Sequence, residues 1–218
     1  MSYALAIFDL DGTVLDTLDD LADATNAALA RAELPVRTRD EVRAFVGNGI
    51  RALVERAVPH GTPSAVTDTV FASFREYYAA HCADRTAPYA GVPELVATLR
   101  AAGCRTAVLS NKADFAVQEL CHRYFEGLFD VVAGERESAG IPKKPAPDGV
   151  YAICKELDIP LSCAVYIGDS EVDVATAQNA GLDAILVDWG FRTAAQLRAA
   201  GAQRIVCDAA ALADAVLA

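Results

Sequence analysis

Beyond residue 92 the chain alternates between two hydrophobic patterns, and that alternation restricts its fold more than any other feature. Apolar residues at three- and four-residue spacing predict helices over 93–102, 114–124, 147–157, 172–180, 194–200 and near 209–217. Between them lie short, mostly apolar runs at 105–109, 129–133, 164–167, 184–187 and 204–206. A strand covered on both faces needs no alternation of polar and apolar residues. Strand–helix repeats of this kind close by right-handed crossovers into a parallel sheet, with ligands held at the carboxyl ends of the strands. The expected fold is therefore α/β, a doubly wound, Rossmann-like parallel sheet.

One strand stands apart from this series, near the amino terminus. The run Ala4-Leu5-Ala6-Ile7-Phe8 ends in Asp9-Leu10-Asp11-Gly12-Thr13. Side chains two apart on an extended strand point to the same side, so both carboxylates crowd one small volume. Like charges so close are costly unless a cation or a proton neutralises them. Gly12 lets the backbone approach a ligand closely. Past Thr13 the spacing turns helical, with Leu15, Leu18, Leu21, Ala22, Ala28 and Leu29 on one face and Asp16, Asp19, Asp20 and Asp23 on the other. Further helical patterns cover 39–57, interrupted by Gly47-Asn48-Gly49, and 64–80. Residues 16–84 thus read as an α-helical cap without strands, 86–91 as a return linker, and 1–15 with 85–218 as the catalytic core.

The net charge of −11, with no offsetting basic cluster, speaks against nucleic acid and anionic membranes as partners. A phosphate site in such a chain has to be made positive locally, by a metal, a lysine or helix N-termini. Six scattered cysteines without a CxxC pair suit a reducing compartment. No run approaches the ~20 apolar residues of a membrane span. A cytoplasmic protein, monomer or homodimer, acting on a small molecule is expected.

Polar groups gather where the strands are expected to end. Ser110-Asn111 follows the strand over 105–109, Lys144 precedes a helix in Lys143-Lys144-Pro145, and Asp169 and Asp173 follow the strand over 164–167. The set suits phosphoryl transfer. Asp9 can attack phosphorus as a carboxylate nucleophile, forming an aspartyl-phosphate. Asp11 can protonate the leaving alcohol and then activate water. Mg2+ takes oxygen ligands and keeps several waters, so Asp9, Asp169 and the main-chain carbonyl of Asp11 would suffice to hold it. Lys144, Ser110 and nearby N–H groups can stabilise the transferring oxygens.

Asp9-Leu10-Asp11-Gly12-Thr13, Ser110-Asn111, Lys144-Pro145 and Gly168-Asp169-Ser170-Glu171-Val172-Asp173 resemble, in order, the four motifs of the haloacid dehalogenase superfamily of phosphotransferases. The resemblance implies Asp9 as nucleophile, Asp11 as acid and base, and Ser110, with Asn111 beside it, and Lys144 as phosphate ligands. It further implies magnesium held by Asp9, Asp169 and the Asp11 carbonyl, with Asp173 supporting the metal site. Within the superfamily the chain is most similar to phosphoglycolate phosphatases, whose cap carries a Val-Gly-Asn-Gly turn. Here that turn is Val46-Gly47-Asn48-Gly49, followed by Ile50 and Arg51, and glycines at a helix start can present N–H groups to an anion. Trp189-Gly190-Phe191-Arg192 also resembles phosphatases of this branch. The function implied is hydrolysis of a small phosphomonoester, 2-phosphoglycolate, with Gly47, Asn48, Gly49 and Arg51 setting specificity. The alternatives are a phosphatase for another metabolite or sugar phosphate, a phosphomutase, and, outside enzymes, a phospho-receiver-like or scaffolding module. Gly168 and Asp173 favour hydrolysis over the mutase, and the insert after the first strand counts against the receiver.

Overall fold

The computed structural model describes residues 3–218 and divides them into two units, one running to Leu15 and resuming at Pro88, the other spanning Asp16–Ala87. The first unit contains the strands β1 (Leu5–Phe8), β4 (Arg105–Ala113), β5 (Val131–Glu135), β6 (Ala164–Gly168), β7 (Asp183–Val187) and β8 (Ile205–Val206). Short β2 (Leu15–Asp16) and β3 (Ala87–Pro88) form a separate two-stranded sheet at the chain crossings. The helices of the first unit are α5 (Val92–Ala101), α6 (Asp114–Phe125), α7 (Asp148–Glu156), α8 (Glu171–Ala180), α9 (Ala194–Ala199) and α10 (Ala209–Leu217).

Six strands form one parallel sheet in the order β5-β4-β1-β6-β7-β8. The chain runs outward from β1 in both directions, through β4 to β5 on one side and through β6 and β7 to β8 on the other. The order therefore reverses at β1, and a crevice opens beyond its carboxyl end. Phe8 is level with Val108 and Ile167, so Asp9 emerges at the centre of the sheet, in that crevice. Burial explains why β1 reads as a continuous apolar run: all four of its residues are buried. On one face Leu5, Ile7, Leu109 and Tyr166 pack against Val150 and Ile153 of α7 and Ala177 of α8.

Three expectations about elements need correction. Strand β4 does not stop at Leu109 but continues to Ala113, with its register against β5 shifted between Leu109 and Ala113. The polar Ser110-Asn111-Lys112 ended the apolar run in the sequence, yet at an irregularity of this kind the strand re-aims its side chains and keeps going. The first helix begins only at Leu18, because Leu15–Asp16 is extended, and the 86–91 linker contains β3. Strand β5 starts at Val131 rather than at 129, where Phe129 instead sets its ring edge-on against Phe8 and Phe125.

The second unit is built from α1 (Leu18–Arg31), α2 (Arg39–Phe45), α3 (Gly49–Ala57) and α4 (Ser64–His81). Thr38 starts α2 with a capping box closed by Glu41. The buried Asp20 carboxylate of α1 accepts hydrogen bonds from the N–H groups of Arg85 and Thr86 and from the Thr86 hydroxyl. Among the described residues no helix is long and apolar enough to cross a membrane.

Candidate active site

The carboxyl edge of the sheet concentrates charge. Asp9 leaves β1 with its Oδ1 accepting from the Leu10 N–H at 2.7 Å and from the Lys144 ammonium at 2.9 Å. The same ammonium donates to Asp173 Oδ1 at 2.8 Å. Lys144 is held from two directions. Its main chain exchanges two hydrogen bonds with the Asn111 side chain, at 2.8 and 3.0 Å, and its Nζ lies 5.6 Å from the ring centre of buried Tyr166, whose hydroxyl donates to the Leu109 carbonyl. Ser110 lies at the same edge, buried, one residue beyond Leu109.

Asp169 follows β6 and approaches Gly12 so closely that a Cβ on this glycine would overlap its carboxylate. Thr13 donates its hydroxyl to Asp169 Oδ1 at 3.1 Å, and the Phe191 N–H donates to Oδ2 at 2.7 Å. Asp173, on the first turn of α8, receives the Ser170 hydroxyl at 2.6 Å and the N–H groups of Asp169 and Ser170 on Oδ2. One carboxylate oxygen from each of Asp9, Asp169 and Asp173 comes within 4.8 Å of the others.

Three buried carboxylates against one ammonium leave an excess of negative charge. Burial, with Asp173 and Asp11 nearby, raises the Asp9 pKa to about 7 despite Lys144. Burial, with Asp173 and Asp9 nearby, pushes Asp169 well above the usual carboxylate range. Burial alone would lower Lys144, but Asp173 and Asp9 outweigh it and hold the ammonium charged. An all-oxygen set with uncompensated negative charge fits a hard divalent cation such as magnesium. Asp173 accepts four hydrogen bonds, from Lys144, the Ser170 hydroxyl and the N–H groups of Asp169 and Ser170, against two on Asp169 and two on Asp9 Oδ1. This difference favours Asp9 and Asp169 for direct ligation and Asp173 for support.

Asp11 is treated differently from Asp9. Its carboxylate lies outside the three-acid cluster and pairs at 2.8 Å with Lys112, whose side chain is 2% exposed. Lys112 was not among the expected site residues. The signal was available, because Lys112 is two residues beyond Ser110 in the same strand. Tyr166 was also missed, and no local pattern marks it; the Phe191 N–H lies in the Trp189-Gly190-Phe191-Arg192 segment, to which the resemblance gave no role. The four cap residues Gly47, Asn48, Gly49 and Arg51 belong to the second unit. There Asn48 accepts from Arg56 at 2.6 Å, and Arg51 pairs with Glu55 at 2.7 Å and Asp68 at 2.6 Å.

The profile of the haloacid dehalogenase-like hydrolases matches residues 6–187. A phosphoglycolate phosphatase of Caulobacter vibrioides is 36% identical over 197 residues, covering 88% of this chain and 81% of that protein. An N-acetylmuramic acid 6-phosphate phosphatase of Pseudomonas aeruginosa is 31% identical, covering 88% of this chain and 84% of that enzyme. A crystal structure of a candidate phosphoglycolate phosphatase from Lactobacillus delbrueckii subsp. bulgaricus superposes with a TM-score of 0.95 at 37% identity, covering 100% of this chain and 99% of that one.

Proposed function

Because this chain belongs to the haloacid dehalogenase-like hydrolases and is a phosphoric monoester hydrolase, we propose that it cleaves 2-phosphoglycolate to glycolate and phosphate through an aspartyl-phosphate on Asp9. The observation that carries the mechanism is the unequal treatment of two carboxylates two residues apart. Asp9 shares the Lys144 ammonium with Asp173, whereas Asp11 pairs with a different lysine, Lys112. On this reading Asp9 works beside the groups that bind a phosphoryl oxygen, and Lys112 keeps Asp11 oriented. An oxygen of Asp9 attacks phosphorus as the P–O bond to the glycolate oxygen breaks. Asp11 donates its proton to that oxygen, then takes one from the water that opens the acyl phosphate, returning Asp9 to a carboxylate and releasing phosphate. Lys144 and Ser110 stabilise the charge on the transferring oxygens, and Asn111 acts through the Lys144 main chain that it clamps. Magnesium, when held by Asp9, Asp169 and the Asp11 carbonyl, supplies further positive charge to the same oxygens.

The core groups all address the phosphoryl end of a substrate. We therefore assign discrimination to the helical unit, at Gly47-Asn48-Gly49 and Arg51. A substrate carboxylate would replace Glu55 or Asp68 on Arg51, and because these pairs are exposed the exchange costs little. The name of the Pseudomonas aeruginosa relative supports a second reading, a sugar phosphate as substrate. Steady-state kinetics on 2-phosphoglycolate, N-acetylmuramic acid 6-phosphate and an aryl phosphate decide between the readings. The expected outcome is the highest kcat/KM on phosphoglycolate, with all three activities abolished by Asp9→Asn. A preference for the sugar phosphate removes the substrate assignment, and activity in Asp9→Asn removes the mechanism.

A further inference from the structure

Asp169 takes its shortest hydrogen bond from a main-chain group, the Phe191 N–H. A main-chain donor has no rotamer of its own, so its aim depends on what anchors the chain on either side. The segment from Trp189 to Arg192 follows β7 and is anchored at both ends. On one side the Trp189 indole N–H donates to the Thr13 carbonyl at 3.1 Å. On the other, the Arg192 guanidinium forks onto Glu171, with Nε to Oε2 at 2.8 Å and Nη2 to Oε1 at 3.1 Å. Between the anchors, Gly190 lies so close to the Gly12 carbonyl and to Asp169 that a Cβ would overlap both.

Glu171 is two residues beyond Asp169, on the turn that also carries Asp173. The Arg192–Glu171 pair therefore ties the segment to the same turn whose acids surround the cation position. The Arg192 side chain is 8% exposed and the Glu171 side chain 49%, and the planar fork of the guanidinium is matched to that one carboxylate. The first turn of α8 keeps its own bonds between Ser170 and Asp173 without Arg192. Loss of the pair should thus free the segment without unwinding the helix.

We propose that residues 189–192 form a strap that aims the Asp169 carboxylate, and that the Arg192–Glu171 ion pair is its latch. Arg192 and Glu171 are positioning residues: neither belongs to the three-acid cluster, yet the pair sets its affinity for magnesium. The inference rests on the reading of Asp169 as a magnesium ligand.

The test compares Arg192→Met, Glu171→Gln and the conservative Arg192→Lys with the intact protein. Magnesium affinity is read from the rise of Tm with added Mg2+ and from the emission of Trp189, the chain's single tryptophan and part of the strap. Groups behind a metal ligand typically account for about 10–100-fold in affinity, and a latch one step further back belongs at the lower end. The magnesium Kd should rise about tenfold in Arg192→Met and Glu171→Gln and less in Arg192→Lys, with the lost rate recovered at saturating magnesium. A fall in Tm measured in chelator, with magnesium Kd unchanged in both Arg192→Met and Glu171→Gln, would make the pair structural only and overturn the proposal. An intact protein whose Tm and emission ignore magnesium overturns the metal reading, and the latch with it.

Discussion

Lys144→Met removes the ammonium that Asp9 and Asp173 share at 2.9 and 2.8 Å. The three side chains involved are 3%, 12% and 0% exposed, so water cannot take the place of the lysine. Removing one partner of a buried ion pair costs about 3–5 kcal/mol, because a charge is left buried without compensation. The acids retain other donors here, the Leu10 N–H on Asp9 and the Ser170 hydroxyl and N–H on Asp173, which places the cost near the lower bound. For a chain of this length each kcal/mol moves Tm by about 2–4 °C, giving a fall of about 6–12 °C in the presence of chelator. Magnesium should narrow the gap by restoring positive charge. Acid should narrow it too. The Asp9 pKa is already raised to about 7, so the folded state binds the proton more tightly than the unfolded state does. The stability contributed by that group is lost as pH rises from about 4 towards 7, and the variant should suffer most above that window. Calorimetric unfolding at pH 5 and pH 8, with chelator and with magnesium, measures each part. A Tm in chelator at pH 8 within about 2 °C of the intact protein would refute the claim that Lys144 neutralises this cluster.

Two further outcomes test the neighbouring charges. Lys112→Met should lower kcat by about 10–100-fold, since acid–base assistance depends on how Asp11 is held, while leaving the magnesium-dependent rise in Tm intact because Asp11's carboxylate lies outside the cluster; an unchanged kcat would remove Asp11 from the chemistry. At the opposite end of the sheet, Asp130 binds the Thr106 N–H at 2.9 Å, Arg100 at 2.7 Å and Arg105 at 3.0 Å. Burial would raise its pKa, but these donors together lower it. Its contribution is therefore present above the unfolded value of about 3.9 and lost as pH falls through the lower folded value. Asp130→Asn should cost about 1 kcal/mol at pH 7, and the difference from the intact protein in denaturant titrations should vanish in acid; a constant difference down to pH 2 would contradict this assignment.

Much of the architecture was legible because it depends on local periodicity. The apolar run of β1, the three- and four-residue spacing of α1 and α8, and the Asp9–Asp11 interval are consequences of how neighbouring side chains point, which no distant residue alters. Strand–helix alternation likewise restricts the connections to a parallel sheet, and the sheet puts residues 9, 110 and 169 at one edge. What the sequence could not decide are the partners. Asp11 finds Lys112 across 101 residues, Thr13 reaches Asp169 across 156, and the Trp189 indole reaches the Thr13 carbonyl across 176. Composition near each group says nothing about such meetings, because strand order and register choose them. The apolar run ends at Leu109 because Ser110-Asn111-Lys112 is polar, yet the strand does not end there. Pairing with Glu135 of β5 carries the strand on to Ala113, past the register shift that contains the polar Ser110-Asn111-Lys112. The sequence by itself determined the elements and the chemistry available at their ends. The tertiary structure decided which cation answers which carboxylate, because charges pair through the space the sheet creates.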